Sequence, residues 1–248
     1  MDFLHVLEHH ILDHHISTLF TLGGIGFALS KHVLMMWIAG GVLILTMPLL
    51  ARSWPLIPSG PRALLEIFVV FIRDEVVLPN TGKEGLPYVP YFLTLFFFIL
   101  TVNLIGLIPG AAAATGNISV TAGLAICSFL LINVAGIREH GLVHHFKNFI
   151  PHGLPGWLIP LMLPLEIVGL FTRAFALSIR LFANMLAGHI VLLAFLCLSF
   201  LLGSLLVSVG SVPIAVGLSV LETFVCFLQA YIFTFLTAIF VGSTLHPH

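Results

Sequence analysis

The sequence has few charged residues: they make up 8% of 248 residues, while apolar residues make up 59%. Soluble domains carry about 25% charged residues, so a soluble globular protein is excluded. The formal net charge is -1 and there is no basic tail, which argues against nucleic-acid binding. The composition predicts a multi-span protein whose surroundings are a lipid bilayer.

Cysteine is also scarce, and Cys127, Cys197 and Cys226 all lie inside apolar runs. They are therefore interpreted as small buried side chains rather than as disulfide or metal ligands. The chain lacks a glycine-rich phosphate-binding loop, so it makes no ATP by itself and no cofactor or metal is predicted. The first residues lack the basic segment and short apolar core of a cleavable signal.

Apolar runs predict an all-α membrane protein with about five membrane-embedded helices. Polar residues interrupt two other segments, which are predicted to be interfacial. In the first, Leu4, Leu7 and Ile11 share one helical face, which favours a short amphipathic helix. The predicted organisation is a single membrane domain over 1–248, with an N-terminal interfacial segment 1–31, a first span 32–51, an interfacial helix 62–78, a helical hairpin 89–137 and a long hairpin 160–241.

The last hundred residues are almost continuously apolar from Pro160 to Leu202 and again from about Pro213. A single helix over the first of these runs would be about 64 Å long, about twice the hydrocarbon thickness. The helix is therefore either broken or strongly tilted. Gly203, Gly210 and Pro213 are predicted to supply the turn of a long, tilted hairpin.

Basic residues predict the orientation, because cytoplasmic loops are enriched in lysine and arginine. The loops after the first and third spans carry basic side chains, and the segment 109–117 carries none. The N-terminus is therefore expected on the non-cytoplasmic side and the C-terminus in the cytoplasm. The basic residues are Arg52, Arg62, Arg73 and Lys83 in the first loop and Arg138 and Lys147 in the second.

Ionisable residues inside the final hairpin are costly in lipid, so each is a functional hypothesis. Glu166, Arg173 and Arg180 are seven residues apart and Asn184 follows four later, which keeps all four on one helical stripe. Small residues beside that stripe favour close approach by another helix. For Arg173 a buried ion pair or a charge reaching the interface remains an equal alternative. The small residues are Ala176, Ala183 and Ala187.

A second polar group is expected across the hairpin. If the chain turns near Val207, His189 lies within about a turn of Glu222. An acid beside an imidazole is a plausible proton relay, because histidine gains and loses its proton near neutral pH. A static hydrogen-bonded pair is the alternative. Gln229 is seven residues from Glu222 and shares its helical face.

Residues 178–189 (S-I-R-L-F-A-N-M-L-A-G-H) resemble the signature of subunit a of F-type ATP synthases, and residues 102–110 (V-N-L-I-G-L-I-P-G) resemble its earlier motif. Glu222 and Gln229 match polar positions of its last helix. The resemblance implies that the tilted hairpin packs against a rotating ring of c subunits, with the b-subunit stalk and other synthase subunits as further partners. A bacterial plasma membrane is expected in preference to the membrane of an organelle.

The resemblance further implies two offset half-channels that load and unload a c-subunit carboxylate, with Arg180 separating them. His189, Glu222, Asn184 and Gln229 would line the non-cytoplasmic half-channel, and Glu166 would lie toward the cytoplasmic exit. In many bacterial members the positions of His189 and Glu222 carry glutamate and histidine, so the two residues are exchanged here. The pair still holds one acid and one imidazole.

Three other classes are considered. A haem cytochrome needs axial ligands deep in its spans, where only His189 lies. An ion antiporter is the stronger alternative, although the internal repeat common in such folds is not found. A structural scaffold is disfavoured by a deep arginine.

His9, His10, Asp13 and His14 could form a metal site at the surface. The alternative is that these residues form a solvated polar edge.

Overall fold

The computed structural model describes residues 15–22, 25–51, 60–108, 111, 113–142, 159–202 and 205–246. Among these residues, five helices are long and apolar enough to span a membrane, which confirms the predicted all-α membrane class. The α-helices are α1 Lys31–Ala51, α2 Pro61–Val70, α3 Leu78–Thr81, α4 Val89–Gly106, α5 Ile118–His140, α6 Ile159–Leu202 and α7 Leu205–Leu245. A π-helical segment covers Phe71–Val77, and 3-10 turns cover Lys83–Tyr88 and Ala114–Gly116.

A short β-hairpin before α1 was not predicted. Strand β1, His15–Leu22, pairs antiparallel with β2, Ile25–Ser30, and the register shifts near His15 and Thr18. The pairing suits this sequence because β1 contains β-branched Ile16, Thr18 and Thr21, which favour strands. The expected amphipathic helix around Leu4–Ile11, like the four residues of the surface metal hypothesis, lies outside the described residues.

Helices α6 and α7 are 44 and 41 residues long. The continuity of α6 excludes the broken alternative, and its length is about 66 Å from the α-helical rise per residue. The turn was predicted to extend from Gly203 to Pro213, but α7 already begins at Leu205. Gly210 and Pro213 therefore lie inside the helix and not in the turn. In lipid, a break in the helix would leave several backbone N–H and C=O groups without hydrogen bonds. That costs more free energy than the one hydrogen bond lost at a proline, so the helix continues through Pro213.

The chain divides into two compact units. The first comprises residues 1–46, 98–120 and 180–230, and the second comprises residues 47–97, 121–179 and 231–248. The predicted single domain and its internal boundaries stay a prediction. In the first unit, two small apolar clusters form the described core: Ala39, Val102 and Ala114 in one, and Ala113, Met185 and Cys226 in the other.

In the second unit, α2 packs through Phe68, whose ring centroid lies 5.8 Å from that of Phe96 on α4. Beyond α2, Arg73 donates two hydrogen bonds to the Asp74 carboxylate on an exposed face. These hydrogen bonds lower the pKa of Asp74. The segment 62–78 is helical, and its interfacial location stays a prediction.

The end of α7 packs closely on the segment before α4. At Gly242, a Cβ atom would lie 1.9 Å from the carbonyl oxygen of Asn80, so only glycine fits there. Just beyond, His246 Nε2 lies 3.3 Å from the carbonyl oxygen of Thr81 and 3.3 Å from Glu84 Oε2. These contacts hold the C-terminal end of the helix in the second unit.

Candidate functional site

Helix α6 has two distinct faces around its central arginine. The buried face carries Leu177, Ser178, Leu181 and Met185. The opposite face is exposed and carries both polar residues and small residues, a surface that another helix could approach closely. The exposed residues are Ala176, Arg180, Ala183, Asn184 and Ala187.

Arg180 is exposed at the middle of this face. Within the residues that the structure describes, its guanidinium forms no hydrogen bond or ion pair. A permanent positive charge in an apolar helix is costly when nothing compensates it. Among the described residues, α6 therefore carries an exposed positive charge that no acidic side chain compensates.

His189 and Glu222 are brought together from α6 and α7. The Nδ1 atom of His189 lies 3.2 Å from Oε1 of Glu222, and the side chains are 23% and 7% exposed. The angles do not suit a hydrogen bond, so both buried atoms lack a hydrogen-bond partner in the described part of the chain. The contact is thus close but unaligned, and a small side-chain rotation would complete a hydrogen bond.

The Glu222 carboxyl group rests directly on the backbone of α6 at Gly188. A Cβ atom at Gly188 would lie 2.5 Å from Oε1 and 2.9 Å from Cδ of Glu222, so even alanine would displace the carboxyl group. The sequence analysis missed this role. The only signal in the sequence is that Gly188 is adjacent to His189. The contact itself could not be predicted, because Glu222 lies on another helix.

Glu222 and Gln229 lie on the buried face of α7, and they are 6% and 7% exposed. Cys226, 2% exposed, lies between them on that face. Glu222 and Gln229 therefore share one face of α7, as predicted. Among the described residues, the side chain of Gln229 makes no hydrogen bond. Asn184 differs, because it is exposed beside Arg180 on α6.

Arg173 belongs to the second unit, whereas the residues from Arg180 to Gln229 belong to the first. Its guanidinium carbon lies 5.2 Å from the centroid of the Phe240 ring, within the range of a cation–π interaction. Arg173 also lines a cavity of about 10 Å³ together with Ser128, whose buried hydroxyl has no hydrogen-bond partner there. Glu166 lies in α6, and its side chain is outside the described part of the structure.

A histidine that the sequence analysis did not select lies in the first unit. His32, 6% exposed, is the second residue of α1, and its Nδ1 atom is 3.1 Å from the carbonyl oxygen of Ala113. His32 and His189 line one cavity of about 30 Å³ with Ala111, Ala113, Gly116, Met185, Leu186 and Leu193. No local pattern predicts this proximity, because the two histidines belong to widely separated helices.

The motif at residues 102–110 has a structural explanation in its described part. The Thr115 hydroxyl donates a hydrogen bond of 2.7 Å to Asn103 Oδ1, and both residues are almost fully buried. At Gly106, a Cβ atom would lie 2.8 Å from Met185 Cε. The asparagine therefore anchors the segment after α4, and the glycine leaves room for Ala113, whose Cα atom would lie 3.0 Å from a Cβ atom at Gly106.

Among the described residues, no group of three or more histidine, cysteine, aspartate or glutamate side chains could hold a metal ion. Two imidazoles and one carboxyl group dominate the site instead. Imidazole and carboxyl groups are the side chains that most often act as general acids and bases.

The sequence profile of the family described as ATP synthase A chain matches residues 33–242. A protein of Myxococcus xanthus named ATP synthase subunit a is 47% identical, over 91% of this chain and 77% of that protein. One from an Anaeromyxobacter species, with the same name, is 44% identical over 96% of this chain and 60% of its own length. ATP synthase subunit a 2 of Prosthecochloris aestuarii is 41% identical, over 97% and 79%.

Proposed function

Because this chain belongs to the ATP synthase A chain family, we propose that it is the stationary proton-channel subunit of an F-type ATP synthase. The observation that carries the proposal is the exposed Arg180 on α6, which forms no ion pair among the described residues, together with the close contact of His189 and Glu222 less than three turns further along. The chain is not catalytic alone. It couples proton flow to the partners that make ATP.

The partner of Arg180 is a carboxylate carried by each subunit of a rotating c-ring. In lipid a carboxylate prefers its neutral form, but opposite an arginine it stays ionised. Two unit charges 4 Å apart attract by about 4 kcal/mol at an effective dielectric constant of 20. Arginine keeps its charge when buried, so it also repels a proton that would leak directly between two half-channels.

The half-channel on the non-cytoplasmic side contains His189, Glu222, Asn184 and Gln229. When both ring nitrogens of His189 carry a proton, the proton on Nδ1 can pass to Oε1 of an ionised Glu222 and leave a neutral imidazole, because those atoms are 3.2 Å apart and not locked in a hydrogen bond. Asn184 lies beside Arg180 on the exposed face, where the proton is transferred to the ring. The exchanged order of acid and imidazole preserves this relay.

The other half-channel leads to the cytoplasm past Glu166, with Arg173 as a supporting residue. The ring contact of Arg173 with Phe240 favours a structural contribution from that arginine. Helices α6 and α7 exceed the bilayer thickness, so they lie strongly tilted along the ring. The N-terminus is non-cytoplasmic, the C-terminus is cytoplasmic, and the membrane is a bacterial plasma membrane that also holds the b-subunit stalk.

Cross-linking tests the proposed contact with the c-ring. In a cysteine-free background, we expect Ala183→Cys to form a disulfide with a cysteine placed beside the c-subunit carboxylate, because Ala183 is exposed next to Arg180. Met185→Cys is the matched control, since Met185 is on the same helix but only 5% exposed. Non-reducing gels of the assembled complex give the yield.

An assembled complex that cross-links at neither position, or equally at both, would contradict the proposed face. Ion transport by the isolated chain in liposomes would instead favour the antiporter.

Gly188→Ala tests the positioning of Glu222 without changing any ionisable group. We expect proton flow to fall by about tenfold or more, because the added methyl displaces the carboxyl group that receives the proton. Gly169→Ala is the control, since a Cβ atom there meets nothing within 4 Å on the same helix. The measurement is ATP-driven acidification of vesicles that contain the whole complex; equal rates for both variants would contradict the expectation.

A further inference from the structure

We propose that the cavity between His32 and His189 is the entrance by which protons reach the relay, and that His32 is a protonatable residue of its wall. The inference rests on the proposed function and adds a residue to that path. The two imidazoles line the same cavity of about 30 Å³. That volume accommodates one or two water molecules, enough for a short water-mediated transfer.

The wall of the cavity is built to hold His32 in one orientation. Its Nδ1 atom lies 3.1 Å from the carbonyl oxygen of Ala113, which accepts a hydrogen bond when Nδ1 carries the proton. In that tautomer Nε2 is the acceptor nitrogen of the ring. The Asn103–Thr115 hydrogen bond holds the segment that carries Ala113, so the orienting carbonyl group is itself anchored.

The electrostatic surroundings suit a transient charge. Lys31 precedes His32 on α1, and the segment 111–116 carries no ionisable side chain. The ionisable group facing the cavity from α6 is His189, which in turn contacts Glu222 of α7. Because Glu222 lies behind His189, a negative charge on its carboxyl group would attract a proton that has entered the cavity.

The decisive variant is His32→Asn, whose amide nitrogen can replace Nδ1 as donor to Ala113 but does not titrate. ATP synthesis by the reconstituted complex is measured over a series of pH values on the entry side. In the wild type, we expect the rate to fall as this pH rises, because fewer protons enter the path from that side. We expect His32→Asn to lower the maximal rate roughly tenfold and to make this fall shallower.

Two comparisons separate this inference from the proposed function. His140→Gln is the matched control, because His140 Nε2 also lies 3.1 Å from a backbone carbonyl oxygen, that of Leu245. It should keep the wild-type rate and pH profile. If Arg180→Ala abolishes synthesis while His32→Asn matches the wild type in rate and profile, the inference is wrong and the proposed function stands. If Arg180→Ala synthesises normally, the proposed function itself fails.

A second measurement does not depend on the stability of the His32 variant. In a cysteine-free background, Ala111→Cys is treated with a bulky cationic thiol reagent after the complex has assembled. Since Ala111 lines the cavity, we expect labelling to block synthesis and a reductant to restore it. Ile108→Cys, at an exposed residue outside this wall, is the control. Full labelling of Ala111→Cys with an unchanged rate would overturn the inference.

Discussion

ATP-driven acidification of vesicles that contain the whole complex should disappear when Arg180 is replaced by alanine. We expect a loss of at least about 100-fold, because the variant removes the charge that would keep the ring carboxylate ionised as it passes. The same vesicles should show a passive proton leak under an imposed gradient, since nothing then repels a proton between the half-channels. Both quantities are read from a pH-sensitive dye.

Arg173→Ala is the matched comparison, because it removes an arginine from the same helix. Its guanidinium rests on the Phe240 ring, so we expect assembly to weaken while most of the pumping by the assembled complex remains. If Arg180→Ala assembles and pumps near the wild-type rate, Arg180 is a structural charge. The ion path must then lie elsewhere in the protein.

Glu222→Gln should produce the second large effect. Glutamine has nearly the same shape as glutamate, so the packing on Gly188 is preserved, but the side chain no longer accepts a proton. We expect ATP synthesis driven by an imposed proton gradient to fall roughly 100-fold, within the range observed for the loss of a positioned acid or base. Quantifying the subunit in the purified complex controls for assembly.

The reciprocal exchange is the informative partner experiment. His189→Glu combined with Glu222→His keeps one acid and one imidazole in contact, so we expect the double variant to recover part of the synthesis lost in each single variant. Recovery identifies a functional pair rather than two independent structural roles. A Glu222→Gln complex that synthesises ATP near the wild-type rate would make the pair a static contact.

The membrane class and the helices could be predicted because they depend on local sequence. Hydrophobicity over about 20 residues decides whether a segment can cross a bilayer, and helical periodicity relates Arg180 to Asn184 on one face. The spacing also indicated that His189 and Glu222 would meet across the hairpin. The β-hairpin before α1 was not predicted, because the helical spacing of Leu4, Leu7 and Ile11 at the start of segment 1–31 gives no information on strand pairing over residues 15–30.

By itself, the sequence determined that this is a membrane protein and that its long apolar helices contain ionisable residues. It also determined that Arg180 and Asn184 share one helical face. Tertiary structure alone decided that Gly188 seats Glu222, that Arg173 lies over Phe240, and that His32 shares a cavity with His189. The physical reason is the distance along the chain over which each property is set. Hydrophobicity and helical phase are properties of neighbouring residues, whereas close contacts depend on how distant helices pack, which no local pattern encodes.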